Sequence, residues 1–186
     1  DFESLQAALD NGADSIYFGV EQLNMRARST VNFSLEDLPT IAQRCTEKGV
    51  RSYLTLNTIV YDHDLSMVQT LLQQAHAAGI SAVIASDQAV IASARAIGME
   101  VHLSTQLNIT NIETIRFYSL FADTMVLSRE LSLGQVSHIV QQIAREPIVG
   151  PAGRLVEVEI FGHGALCMAV SGKCYLSLHA HNSSAN

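Results

Sequence analysis

Positive charge is scarce in this sequence. Its 186 residues carry 11 Lys and Arg against 18 Asp and Glu, for a formal net charge of -7. The basic footprint that draws proteins onto phosphate backbones is therefore missing, and charge gives nucleic acid no support as a partner without excluding it. No apolar run approaches the ~18 to 20 residues a membrane span needs, and the N-terminal residues lack the basic-then-apolar layout of a signal peptide. No membrane role and a soluble, cytoplasmic protein are the expectation. Cysteine is nearly absent too. Three residues cannot build a disulfide framework, and in a reducing compartment a cysteine pair more often means metal or catalysis. No G-x-G-x-x-G, G-x-S-x-G or H-E-x-x-H string occurs. This removes the strongest signatures of a dinucleotide site, an α/β serine hydrolase and a zinc protease.

What is present is apolar patterning, with 48% hydrophobic residues, enough for one packed domain over 1–186. Short β-branched or apolar runs alternate with helical periodicity, the βα alternation of a parallel sheet. Six strands are predicted, at 15–20 (SIYFGV), 51–56 (RSYLTL), 80–85 (ISAVIA), 100–104 (EVHLS), 124–128 (TMVLS) and 155–161 (LVEVEIF). Their starts lie about 20 to 37 residues apart, compatible with βα units.

Helical stripes fall between them. Phe2, Leu5, Ala8 and Leu9 form one. Leu35, Leu38, Ile41, Ala42 and Cys45 form a second, which makes Cys45 a core residue. Leu65, Val68, Leu71, Leu72, Ala75 and Ala78 form a third, with His76 at the surface beside it. Capping-box spacing marks helix starts at Ser34 with Asp37, Thr110 with Glu113 and Ser132 with Gln135. Gly12, Gly49, Gly79 and Gly98 each precede a strand, where a left-handed residue ends a helix.

Two architectures accommodate this order, a (β/α)8 TIM-type barrel and an open doubly wound sheet. Without a glycine-rich loop after any strand the barrel is the better match. A complete barrel runs to about 250 residues. The chain starts on a helix with no strand before it and ends in the polar string HAHNSSAN, so the expectation is an incomplete barrel.

In such barrels chemistry sits at the C-terminal ends of the strands. The residues there are Asn57, then Asp87 and Gln88, then Ser104, Thr105 and Gln106, then Arg129 and Glu130, and finally His163. Asp87 can equally cap the helix that follows it, and Glu130 can be a first-turn acid answering the dipole of the helix after it. A cation directly before a helix start is unfavourable in the macrodipole field, so Arg129 is read as facing an anionic ligand, or else Glu130 or Asp87. Residues 159–177, EIFGHGALCMAVSGKCYLS, fit neither strand nor helix. Cys167 and Cys174 stand there among Gly162, Gly164 and Gly172. Such a loop can wrap a metal centre, although two thiolates are not a site and the spacing is not C-x-x-C.

The string FGHGALCMAVSGKCYLS resembles the signature of peptidase family U32, the collagenase-like proteins. NGADSIYFG, LTLNT at Asn57, HLSTQLNITN around Gln106 and VLSREL at Arg129 extend the resemblance, in order, along essentially the whole chain. The resemblance implies a barrel whose first strand lies upstream of Asp1 and whose further cysteines lie beyond Asn186. It implies a four-iron four-sulfur cluster with Cys167 and Cys174 among its ligands in the full-length protein, and empty thiols or an adventitious metal in this stretch alone. Two activities come with it. One is proteolysis, for which the family is named. The other is oxygen-independent hydroxylation of ribosomal or transfer RNA bases or of a quinone precursor, sometimes with prephenate as the oxygen source.

The residues favour hydroxylation. A cysteine protease would have to use Cys167 or Cys174 with His163, His179 or His181, and nothing in the sequence positions such a pair. Hydroxylation asks for an electron-handling centre, which the two cysteines begin to supply, and for a pocket holding an anionic co-substrate. In that reading Arg129, Glu130 and His163 do the chemistry, while Asn57, Asp87, Ser104 and Gln106 orient the substrate. A non-catalytic scaffold is the third class. Unpaired strand edges are a pairing hazard, and a homodimer that buries them is one solution.

Overall fold

The computed structural model describes residues 1–20, 33–164 and 169–170. The chain divides into two compact units, Asp1–Glu100 and Val101–Asn186.

The first unit runs α1 (Phe2–Asp10), β1 (Ser15–Phe18), α2 (Leu38–Glu47), β2 (Arg51–Leu56), α3 (Leu65–Ala78), β3 (Ala82–Ala85) and α4 (Gln88–Ala96). Strands β1 and β2 pair in parallel from Ser15 opposite Arg51 to Phe18 opposite Leu54. The β2 and β3 strands continue from Tyr53 opposite Ala82 to Leu56 opposite Ala85. Leu54, Val83, Ile41, Ala75 and Val90 are all fully buried, because the apolar stripe of each helix is laid against the alternate residues of the strands. Cys45 belongs to this core, and burial pushes its thiol pKa up. His76 is exposed, as expected.

One member of the second predicted stripe is out of place. Leu35 is 40% exposed, since residues Leu35–Asp37 form a tight 3-10 turn and α2 proper begins at Leu38. The predicted box between Ser34 and Asp37 caps that turn. All four predicted helix-ending glycines have left-handed backbones. Gly79, with φ 86°, is the C-cap of α3 itself, and its N–H returns to the His76 carbonyl at 3.1 Å.

The second unit takes up β4 (Glu100–Leu103), whose first residue lies at the boundary, then α5 (Ile112–Tyr118), β5 (Thr124–Val126), α6 (Leu133–Arg145) and β6 (Glu157–Glu159). Its strands are again parallel and adjacent in chain order. His102 stands opposite Thr124, which stands opposite Glu157, and Leu103 stands opposite Met125, which stands opposite Val158. The predicted strands are all present, several of them shorter at their C-terminal ends. The two halves thus repeat one (β/α) pattern, the local grammar of an α/β barrel.

Two caps settle the helix starts. Ser132 and Gln135 form the predicted box at α6. At α5 the prediction of Thr110 with Glu113 is wrong by one residue. Asn111 is the cap, its Oδ1 accepting from the Thr114 N–H at 2.9 Å, because an Asn in extended conformation reaches the first-turn amides as well as a hydroxyl does.

Candidate functional site

Asn57 and Asp87 belong to the first unit. Asn57 is half-buried directly after β2. Asp87 is the N-cap of α4. Its Oδ1 accepts from the Ala89 N–H at 2.8 Å and its Oδ2 from the Val60 N–H at 3.3 Å. Both oxygens are engaged in holding the β2–α3 and β3–α4 loops, which is the structural alternative raised for this residue.

The other described candidates lie in the second unit, on loops that follow β4, β5 and β6. Ser104, 3% exposed, caps a 3-10 turn over Thr105–Leu107, its hydroxyl 3.5 Å from the Gln106 N–H. Thr105 Oγ1 donates to the Leu127 carbonyl at 3.2 Å, and the Ser128 N–H donates to the Ile109 carbonyl at 3.0 Å. On the other side the Leu127 N–H donates to the Glu159 backbone carbonyl at 2.9 Å. The segment after β5 is thereby stitched to the loop after β4 and to the end of β6.

The turn ends at Asn108, whose left-handed backbone (φ 52°, ψ 45°) is the one positive-φ position outside glycine among the described residues. Asn tolerates this region better than most side chains. Its Nδ2 lies 3.4 Å from the Gln106 backbone carbonyl and donates to it. The Gln106 Oε1 and Asn108 Oδ1 are both buried and have no hydrogen-bond partner among the described residues.

After β5, Arg129 and Glu130 form an exposed turn. The Ser128 hydroxyl donates to Glu130 Oε2. The Arg129 guanidinium lies over the Phe161 ring, 6.0 Å from its centroid, and donates to the Ala169 carbonyl at 3.4 Å. Two premises drawn from the sequence are corrected here. Arg129 does not directly precede a helix, because Ser132 caps α6 and the helix starts at Leu133; the dipole argument for Arg129 therefore has no purchase. Glu130 is likewise outside the first turn of α6 and is occupied with Ser128. His163, in the loop after β6, is exposed.

A polar pair on the strands, a buried histidine beside a partly exposed carboxylate, escaped the sequence reading. His102 is 1% exposed, and its Nδ1 lies 3.4 Å from Glu159 Oε1, a carboxylate still 40% exposed. The signal was available in alternation. In EVHL and EVE, Val and Leu occupy one face and His and Glu the other, which places polar groups on the face opposite the buried Leu103 and Met125. Asn108 was missed for a different reason, since a single Asn within a polar loop carries no periodic mark.

Cys167 and Cys174 lie outside the described residues. Cys45, the one described cysteine, is buried in α2, and no group of three or more His, Cys, Asp or Glu among the described residues is placed to hold a metal ion. The described residues by themselves therefore do not make a cluster site.

Comparison with known proteins gives these residues a context. The model of peptidase family U32 matches residues 1–186. A protein named collagenase from Porphyromonas gingivalis is 60% identical over 185 residues, covering 100% of this chain and 45% of that protein. The Escherichia coli 23S rRNA 5-hydroxycytidine C2501 synthase is 33% identical over 180 residues, covering 96% of this chain and 25% of that enzyme. The chain thus spans less than half the length of these curated relatives. Among solved structures, a U32 peptidase superposes with a TM-score of 0.58 at 16% identity, covering 83% of this chain and 64% of that one. At that identity the likeness speaks to the fold alone.

Proposed function

The chain belongs to peptidase family U32, and from that premise we propose that the whole protein is an iron–sulfur enzyme that hydroxylates an RNA base without molecular oxygen. The observation that carries this reading lies at the ends of β5 and β6, where the exposed Arg129 guanidinium lies over the exposed Phe161 ring. A cation beside a flat aromatic face suits a substrate that carries both negative charge and a base, and neither group is a nucleophile for a peptide bond. The relative named for 5-hydroxycytidine synthesis supports the substrate class.

In this reading Arg129, exposed at the end of β5 beside Phe161, holds the carboxylate of an oxygen-donating co-substrate such as prephenate, or an RNA phosphate. His163 moves a proton at the rim, and Glu130 is held by Ser128 for the same task. Cys167 and Cys174, with further cysteines of the full protein, hold the cluster, which would supply the electron transfer that hydroxylation needs. No helix among the described residues is long and apolar enough to cross a membrane, and the reading places the protein in the cytoplasm with its RNA.

Two measurements test it. Full-length protein purified without oxygen should hold about four iron atoms and lose them on Cys167→Ser or Cys174→Ser; colourless, iron-free protein overturns the cofactor. Mass spectrometry of nucleosides from a deletion strain should show one hydroxylated nucleoside missing, and an unchanged RNA profile overturns the substrate class.

A second reading, peptidase, has one observation of its own beside the collagenase relative. Ser128 donates its hydroxyl to a carboxylate, the arrangement of a hydroxyl nucleophile beside a base. Gelatin cleavage that persists through purification and vanishes with Ser128→Ala would select it.

A further inference from the structure

We infer that Glu159, oriented by the buried His102, is the carboxylate that takes the proton a substrate gives up at the ends of β4, β5 and β6. The inference rests on the hydroxylation reading above and deepens it by naming the proton acceptor, with His102 as its positioning residue.

The strand register brings the two side chains together. His102 stands opposite Thr124 and Glu159 opposite Val126, so all four lie on one face of the three strands, and His102 and Glu159 meet across β5. His102 Nδ1 lies 3.4 Å from Glu159 Oε1, with the imidazole side chain 2% exposed and the carboxylate side chain 40% exposed. That asymmetry assigns the roles. The imidazole is closed to a substrate, whereas the carboxylate is partly open to solvent and backed by a buried donor. A carboxylate accepts, so the hydrogen in the contact belongs to Nδ1. At 3.4 Å the contact is longer than a closed N–H···O bond of about 2.9 Å, as acid–base contacts in free enzymes often are.

Glu159 is the last residue of β6, at the strand end where (β/α) barrels do their chemistry. His163 and Glu130 stand on loops, whereas both members of this pair stand on strands, which hold side chains more precisely. The Leu127 N–H, bonded to the Glu159 carbonyl, sets the ends of β5 and β6 side by side, and Arg129 and Phe161 follow from those two ends. The other titratable or charged groups on these strands and the loops after them are Glu100, engaged by Arg51 at 2.7 Å, Glu157, Arg129, Glu130 and His163.

Hydroxylation of a base by a hydroxylated co-substrate is Ar–H + R–OH → Ar–OH + R–H. The co-substrate C–O bond breaks and the ring C–O bond forms, and the two electrons the ring gives up in the exchange are those the co-substrate carbon gains. As the ring C–H bond breaks its electron pair stays with the ring, and the proton forms an O–H bond on Glu159. The same proton then passes to the co-substrate carbon.

Full-length protein tests this in two ways. Supplied on a plasmid to a deletion strain, Glu159→Gln should restore at least about 100-fold less of the hydroxylated nucleoside than wild type, since positioned acid–base groups are worth about 10²–10⁴-fold. Its iron content and melting temperature should be kept. His102→Asn, which keeps a side-chain N–H donor, should restore more than His102→Leu. In purified protein with 13C-labelled histidine, NMR should show the His102 titration midpoint, assigned by the signal missing in His102→Asn, falling by at least about one pH unit in Glu159→Gln. The sign follows because the carboxylate charge favours the imidazolium and the amide does not. Full restoration by Glu159→Gln, loss of iron or of folding in step with activity, equal restoration by Asn and Leu at position 102, or an unmoved His102 signal overturns the inference. The RNA reading fails distinguishably, on a deletion strain that lacks no nucleoside for the wild-type copy to restore, and takes this inference with it.

Discussion

Gly150 is the residue at which one methyl group should do the most harm. A Cβ built there would stand 2.8 Å from the Asp123 Cα and 2.9 Å from its Cγ, and closer still to Oδ1. Asp123 has nowhere to go. It is 7% exposed, its carbonyl accepts from the Glu157 N–H at 2.8 Å, and its Oδ1 accepts from the Ala152 N–H at 3.0 Å. These bonds start β6 and close the turn before it, where Val149 and Leu155 form an antiparallel bridge. Gly150→Ala must push one of them apart. Overpacking costs about 1–3 kcal/mol, and contact with main chain places this case at the upper end. Losing the bond from Ala152 adds about 1 kcal/mol. A total of about 3–4 kcal/mol in a chain of this size lowers the melting temperature by about 10 °C. Urea and thermal unfolding followed by circular dichroism measure it. Gly162→Ala is the control, since its added Cβ meets nothing within 4 Å, and it should stay within about 0.5 kcal/mol of the parent. If Gly150→Ala also stays within that margin, the account of how Asp123 sets the start of β6 is wrong.

Two further predictions separate structural from chemical roles. Asp87→Ala should cost about 1–2 kcal/mol by uncapping α4 and Asp87→Ser should restore most of it in urea unfolding; loss of RNA modification with unchanged stability would return Asp87 to the substrate site. In a Cys167→Ser, Cys174→Ser background, Cys45 should resist a disulfide reagent at neutral pH and react fully once unfolded. Burial raises its thiol pKa and so lowers the thiolate fraction at any given pH while closing the approach. Rapid labelling of native protein would contradict its place in the core.

The predicted caps show where sequence reasoning was strong and where it slipped. Ser34 with Asp37 and Ser132 with Gln135 form their boxes, because a cap is a contact over three residues and is written in adjacent letters. Thr110 failed against its neighbour Asn111, since both side chains can reach the same amides and backbone geometry chooses between them. Arg129 was given a role from the helix after it, although the box at Ser132 with Gln135 already started that helix three residues further on. His102 and Glu159 sat in plain view in alternating strands, yet their meeting across β4 and β6 needs the register of three strands.

The sequence by itself determined the (β/α) order, the buried faces of the helices, the glycine-ended helices and the family, because each is encoded at short range by periodicity, capping or motif. Only the tertiary structure decided that both Asp87 oxygens are spent on backbone amides, that Glu130 answers Ser128, and that the Gln106 and Asn108 side-chain oxygens are buried with no donor among the described residues. The physical reason is that satisfaction of a polar group is a property of its surroundings. A carboxylate or an amide looks the same in the sequence whether its partner is a neighbouring loop or a ligand still to arrive.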